Sequence, residues 1–125
     1  MSHPLPDGPD AQYAAFLAKG RLRLQRCEGC DRFIFYPRVL CHHCGHDRLT
    51  WVDASGRGTV YATTVVRKRP EEGPPHNLCL VDLEEGVRMA SRVEGIAPEA
   101  VTIGMAVTAR IAQQDGDAIV VFDPS

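Results

Sequence analysis

The stretch whose reading decides the fold is Cys27-Glu28-Gly29-Cys30, followed after ten residues by Cys41-His42-His43-Cys44. A Cys-x-x-Cys pair bends the backbone into a knuckle that offers two sulfurs to one ion. The interval between the pairs suits a small β-hairpin that brings the knuckles together. Cys27, Cys30, Cys41 and Cys44 therefore read as the ligands of a tetrahedral Zn²⁺ site. Its role is structural, because closed four-sulfur coordination leaves no position for substrate. Two disulfides, or evenly spaced buried thiols, are the competing readings. Gly29 and Gly45 fall where knuckle turns need a residue free of Cβ strain. His42, His43 and His46 crowd the second knuckle; with four cysteines present, the spacing expects them outside the coordination shell.

Working outward, Arg21 to Arg26 alternates charged or polar with apolar residues, the period of a half-exposed strand. Its arginines form either a phosphate-reading row or the solvated face of an edge strand. Phe33-Ile34-Phe35-Tyr36 reads as the return strand of the ribbon, ended by Pro37. Four large apolar residues in a row exceed what a small ribbon hides on one face, so Phe33, Phe35 and Tyr36 are candidates for an interface. Upstream, Met1 to Pro9 is expected to be a loose arm. Asp10 then reads as the N-cap of a helix over 11–19 that Gly20 stops. Tyr13, Phe16 and Leu17 share one face of it, for packing on its own domain or for docking on a partner.

Downstream, Ser55 to Gly58 reads as a hinge before a long strand over 59–69 rich in β-branched residues. Pro70 to His76 can only be a loop. Hairpins are expected over 77–93 and 106–122, with a single helical turn beginning at Pro98 between them. Five strands in about seventy residues suit a small closed barrel. The expected architecture is thus mainly β: an N-terminal arm and helix (1–20), a zinc ribbon (21–54) and a five-stranded OB-fold barrel (55–125), with an SH3-like barrel as the alternative.

The chain has 125 residues, 44% of them hydrophobic, which is globular composition for one domain or two very small ones. No apolar run approaches the roughly 20 residues of a membrane-spanning helix. Met1 to Pro6 lacks a signal peptide's basic start and apolar run, and with the cysteine usage this leads us to expect a reducing cytoplasm. The net charge of −2 counts the thiols as neutral; zinc on four thiolates takes it to roughly −4. Ribbon and barrel are also a nucleic-acid architecture, but binders of that class are strongly basic, and this chain is not.

No constellation of a self-sufficient enzyme is legible. Cys79 lies between Leu78 and Leu80 in an apolar strand, an environment that keeps a thiol protonated. Asp82, Glu84 and Glu85 cluster at a hairpin turn without an acid–base partner. Phosphate loops, His-Glu-x-x-His and Gly-x-Ser-x-Gly do not occur. Arg67, Lys68 and Arg69, with Arg57 nearby, form the one dense basic group. They read either as a solvated strand end or as a contact for the phosphates of a nucleotide-bearing ligand or for a partner's acidic surface.

The ordered combination of helix, Leu22-Arg23-Leu24-Gln25-Arg26-Cys27, the aromatic-Pro stretch, Cys41-x-x-Cys44, Gly56-Arg57-Gly58-Thr59-Val60-Tyr61, Gly86-Val87-Arg88 and Ile103-Gly104-Met105 resembles one family. It is the acyl-CoA-associated OB-fold family with a rubredoxin-like zinc ribbon, domain of unknown function number thirty-five, and the likeness runs from about residue 11 to 123. It departs in having His42 where many members have proline. The resemblance implies a non-catalytic accessory or scaffold subunit of an acyl-CoA enzyme: a thiolase, a thiolase-type aldolase acting on sterol side chains, or a hot-dog hydratase. It also implies possible help in holding the coenzyme A ester, and the four cysteines as metal ligands. A nucleic-acid module is the alternative, and an enzyme acting through Cys79 the third reading.

Overall fold

The cysteine-bearing segment and the β-branched segment build two separate sheets. The computed structural model describes residues 8–67 and 69–125; the expected arm through Asp7, and Lys68, lie outside them. Two compact units divide in the chain between Ala54 and Ser55.

In the first unit, helix α1 (Pro9–Ala18) begins earlier than the sequence suggests. Pro9 takes the first turn, where its fixed φ is preset and its missing N–H costs nothing, and Gly8 rather than Asp10 is the N-cap. Gly20 ends the helix as expected, at φ +80°. The N–H of Gly20 bonds Leu17 O at 2.9 Å and that of Arg21 bonds Phe16 O at 2.9 Å, the double closure of a Schellman turn.

Strands β1 (Arg23–Cys27), β2 (Phe33–Ile34) and β3 (Leu49–Asp53) pair antiparallel in the order β2-β1-β3. The arginine-rich strand is therefore the centre of its sheet and not an edge. Its cations are occupied: Arg23 Nε sits 3.0 Å from Asp53 Oδ1 with its guanidinium 4.8 Å from the Phe16 ring centre, and Arg26 is 3.2 Å from Asp31 Oδ1. The return strand stops at Ile34, two residues short of the expected Tyr36.

In the second unit, β4 (Arg57–Val66), β5 (His76–Leu83), β6 (Arg88–Ser91), β7 (Ala106–Gln114) and β8 (Asp117–Pro124) form one antiparallel sheet in the order β6-β5-β4-β7-β8. A parallel bridge between Val93 and Phe122 brings its two edges together, which is the closure of a five-stranded OB barrel. The expected helical turn is present as a 3-10 turn at Pro98–Ala100. The expected hinge is already strand from Arg57, and Gly58 has a packing reason. A Cβ there would lie 2.7 Å from Val81 Cγ1 and 2.8 Å from Asp82 O, so only glycine permits the two strands to approach.

The barrel interior is apolar, built from residues such as Val60, Val81, Met89, Val107, Val121 and Phe122. Among the described residues one polar side chain is buried in it. Asn77 donates to Thr63 Oγ1 at 2.8 Å and to Thr64 O at 3.2 Å, and it accepts the Val93 N–H at 3.0 Å. It thereby ties β4 and β5 to the segment that closes the barrel. Its pattern in sequence, a lone Asn at a strand start, carries no hint of this.

Candidate metal centre

Both knuckles use the same local bonds. The N–H of Asp31 bonds Cys27 O and that of Gly45 bonds Cys41 O, each at 2.8 Å. The N–H of Cys27 bonds Arg32 O and that of Cys41 bonds His46 O, each at 2.9 Å. A third pair points N–H groups at sulfur: Gly29 N is 3.3 Å from Cys27 Sγ and His43 N is 3.4 Å from Cys41 Sγ. The turn's left-handed residue is the one after each second cysteine, Gly45 at φ +79° and Asp31 at φ 65°. So Gly45 has the expected role, while Gly29 answers a different need. A Cβ on Gly29 would fall 2.9 Å from Cγ of the His46 ring, which lies across the first knuckle.

The four sulfurs lie within 4.8 Å of one another, with Cys27 Sγ 3.5 Å from Cys44 Sγ and Cys30 Sγ 3.6 Å from Cys41 Sγ. A tetrahedron with metal–sulfur bonds of about 2.3 Å has edges of about 3.8 Å, so the donor set fits Zn²⁺. The thiols are free, and no disulfide links them. Their proton affinities show why a cation belongs there. Burial raises the Cys41 thiol, but the N–H groups of Cys44 and His43 and the adjoining thiols outweigh it, leaving Cys41 at about 7. The N–H of His46 lowers Cys44, yet the other three thiols and burial push it up to about 12. One thiolate is accommodated readily, and four together need a compensating charge.

His43 and His46 are engaged elsewhere, and the His42 ring lies against that of His43 with centres 3.8 Å apart. His46 Nδ1 accepts the Arg48 N–H at 3.0 Å, and His43 Nδ1 is 3.2 Å from Arg32.

The remaining candidate residues are distributed differently from the sequence pattern. Leu17 is buried, Tyr13 packs edge-on to Phe35 at 5.6 Å, and Phe16 packs edge-on to Trp51 at 5.1 Å. Trp51 Nε1 also donates to Gln12 Oε1 at 2.8 Å, so the helix face is used inside its own unit. Burial pushes the Tyr13 hydroxyl up to about 12. Phe33 and Phe35 are half-buried, and only Tyr36 of the ribbon aromatics is exposed, beside Val39 and Leu40.

Among the described basic residues, Arg57 lies apart from Arg67 and Arg69. Arg57 and Arg67 lie at opposite ends of β4, up to about 30 Å apart at a strand's rise per residue. Arg57 pairs with Glu84 at 2.9 Å and Arg67 with Glu99 at 3.6 Å. Arg69 is exposed beyond the strand. Cys79 is buried in the barrel, and that burial raises its thiol.

Helix, four-sulfur ribbon and five-stranded OB barrel define the class: a zinc-ribbon protein carrying an OB-fold domain. Residues 14–50 match the family model for the rubredoxin-like zinc ribbon domain of ChsH2, and residues 51–112 match that for the ChsH2 C-terminal OB-fold domain. The chain belongs to the ChsH2/DUF35 family. It is 35% identical over 98 residues to a DUF35 domain-containing scaffold protein of Methanocaldococcus jannaschii, covering 74% of this chain and 70% of that one. It is 35% identical over 108 residues to a probable enoyl-CoA hydratase alpha subunit of Thermomonospora curvata, covering 84% of this chain; the match spans 34% of that relative's length. Among solved structures it is similar to a chain of the Ltp2-ChsH2(DUF35) aldolase, with a TM-score of 0.82, 31% identity and 98% of both chains covered.

Proposed function

We propose that this chain is a non-catalytic accessory subunit that scaffolds an acyl-CoA-processing enzyme, a thiolase-type aldolase or a hydratase. Zinc held by Cys27, Cys30, Cys41 and Cys44 serves as its internal cross-link. The observation that carries this reading is the end-to-end likeness to a chain of an aldolase complex. The chemistry of the chain supports it. The four-sulfur site is closed, Cys79 is buried, and Asp82 and Glu84 are paired with Arg88 and Arg57. Catalysis and most of the hold on the coenzyme A ester fall to the partner, with Arg67 and Arg69 as this chain's own candidates for a phosphate contact. Four free, clustered thiols suit a reducing cytoplasm.

The nucleic-acid reading lacks support from the barrel. Single-strand binders of this fold use the face of the second and third strands, loaded with stacking aromatics and cations. Here β5 and β6 present Leu78, Leu80 and Ala90. Phe122 is in the core, and the exposed ring of Tyr61 is covered by the Arg88 guanidinium at 3.4 Å.

Co-expression with a catalytic aldolase or hydratase subunit from the same genome tests the proposal. The two chains are expected to co-elute, and the chain alone is expected to turn over no acyl-CoA. Turnover by the zinc-loaded chain alone, abolished by Cys79→Ala, would overturn it.

A further inference from the structure

We infer that the loop Tyr36–Leu40 is the surface by which the chain grips its catalytic partner, entering an apolar recess bordered by carboxylates. The inference deepens the accessory-subunit reading above and rests on it.

Three exposed large apolar side chains fall within five residues: Tyr36 at 58%, Val39 at 70% and Leu40 at 52%. Scattered exposed apolar residues are ordinary, but a contiguous group marks an interaction site. The loop is also held in place. Gln25, 4% exposed on the central strand, donates from Nε2 to Arg38 O at 2.8 Å and accepts the Arg38 N–H on Oε1 at 2.7 Å. This side chain mimics a neighbouring strand and clamps the middle of the loop. At one end the Tyr36 ring rests on Phe35, centres 4.3 Å apart, and Phe35 rests in turn on Tyr13. At the other end Cys41 joins the four-sulfur cluster. Burying an amide and stacking two rings beneath an exposed apolar loop settles the ordering cost before a partner arrives, which is how preorganised surfaces gain affinity.

The occupant's chemistry follows from charge. Residues 32–40 contain Arg32 and Arg38 and no acidic residue, in a chain with 16 acidic and 14 basic side chains. Among the described residues Arg38 has no carboxylate within ion-pair distance. A partner surface with an apolar centre and an acidic rim complements it. The occupant is a protein surface and not a small ligand, because small-ligand sites are concave. Three cavities among the described residues are lined by barrel residues, and none of the three is lined by Tyr36, Val39 or Leu40.

The test measures binding of the full chain to the co-expressed aldolase or hydratase subunit, with zinc content and Trp51 fluorescence as controls for folding. A Val39→Asp/Leu40→Asp double variant should weaken binding about 100-fold with zinc content unchanged. Arg38→Glu should weaken it about 10-fold and flatten its salt dependence. Gln25→Leu, which releases the loop without altering Val39 or Leu40, should also weaken it. If the wild type binds and the double variant binds equally well, the loop is not the grip, and the accessory role stands. If the wild type binds neither class of subunit, the accessory reading fails and takes this inference with it.

Discussion

Asn77→Ala should destabilise the barrel more than any exposed substitution, and the structure supplies the amount. The side chain is 3% exposed and makes three hydrogen bonds, two donated to Thr63 and Thr64 and one accepted from the Val93 N–H. Each is worth about 1 kcal/mol net. The truncation also leaves the buried Val93 N–H without its acceptor, so the total is about 2–4 kcal/mol. For a unit of this size each kcal/mol moves the midpoint by about 4–8 °C, giving an expected fall of about 10–25 °C. The assay is thermal unfolding of the zinc-loaded full chain by far-UV circular dichroism, with hydrogen exchange at the Val93 amide as the local readout. Thr63→Val removes one of the three bonds and should cost about 1 kcal/mol. The two changes share a bond, so together they should cost less than their sum. A midpoint loss below about 4 °C for Asn77→Ala, or strict additivity with Thr63→Val, would refute the assignment of Asn77 as the tie between β4, β5 and the closing segment.

Three further outcomes follow from the metal centre. Chelation, or Cys44→Ser, should unfold the ribbon and shift Trp51 fluorescence, since the zinc free energy is folding free energy for so small a unit; unchanged Trp51 emission in verified metal-free protein would contradict this. The depressed Cys41 value means its thiolate contribution is present above the ordinary thiol pKa and is lost as pH falls through about 7, while Cys44 at about 12 keeps its proton. Zinc loading near pH 7 should therefore release protons, that of Cys44 among them, read with an indicator dye in weak buffer, and zinc retention should fall below that pH. Finally, Gly29→Ala should lower zinc retention because its Cβ meets the His46 ring at 2.9 Å, and adding His46→Ala should restore it; equal zinc loss in both variants would place the fault elsewhere.

Much of this protein was determined by sequence alone, wherever the physics is local. A knuckle is closed by bonds within five residues, so the cysteine spacing suffices to define the metal site. The β-branched runs and the turns at Glu84–Gly86 and Asp115–Gly116 likewise suffice for the two hairpins of the barrel. Tertiary structure decided what depends on distant partners. The arginine-rich strand became central because β3, more than twenty residues on, pairs with its far side. Gln25 and Asn77 acquired their roles through bonds to residues 13 and 16 positions away, which no periodicity encodes. Arg57 and Arg67, which read as parts of one basic group in sequence, were separated by the length of β4. Around the cysteine pairs, the spacing was enough to assign the ligands. Which apolar residues of the intervening ten turn outward was settled only when β2 ended at Ile34 and Gln25 pinned the loop beyond it.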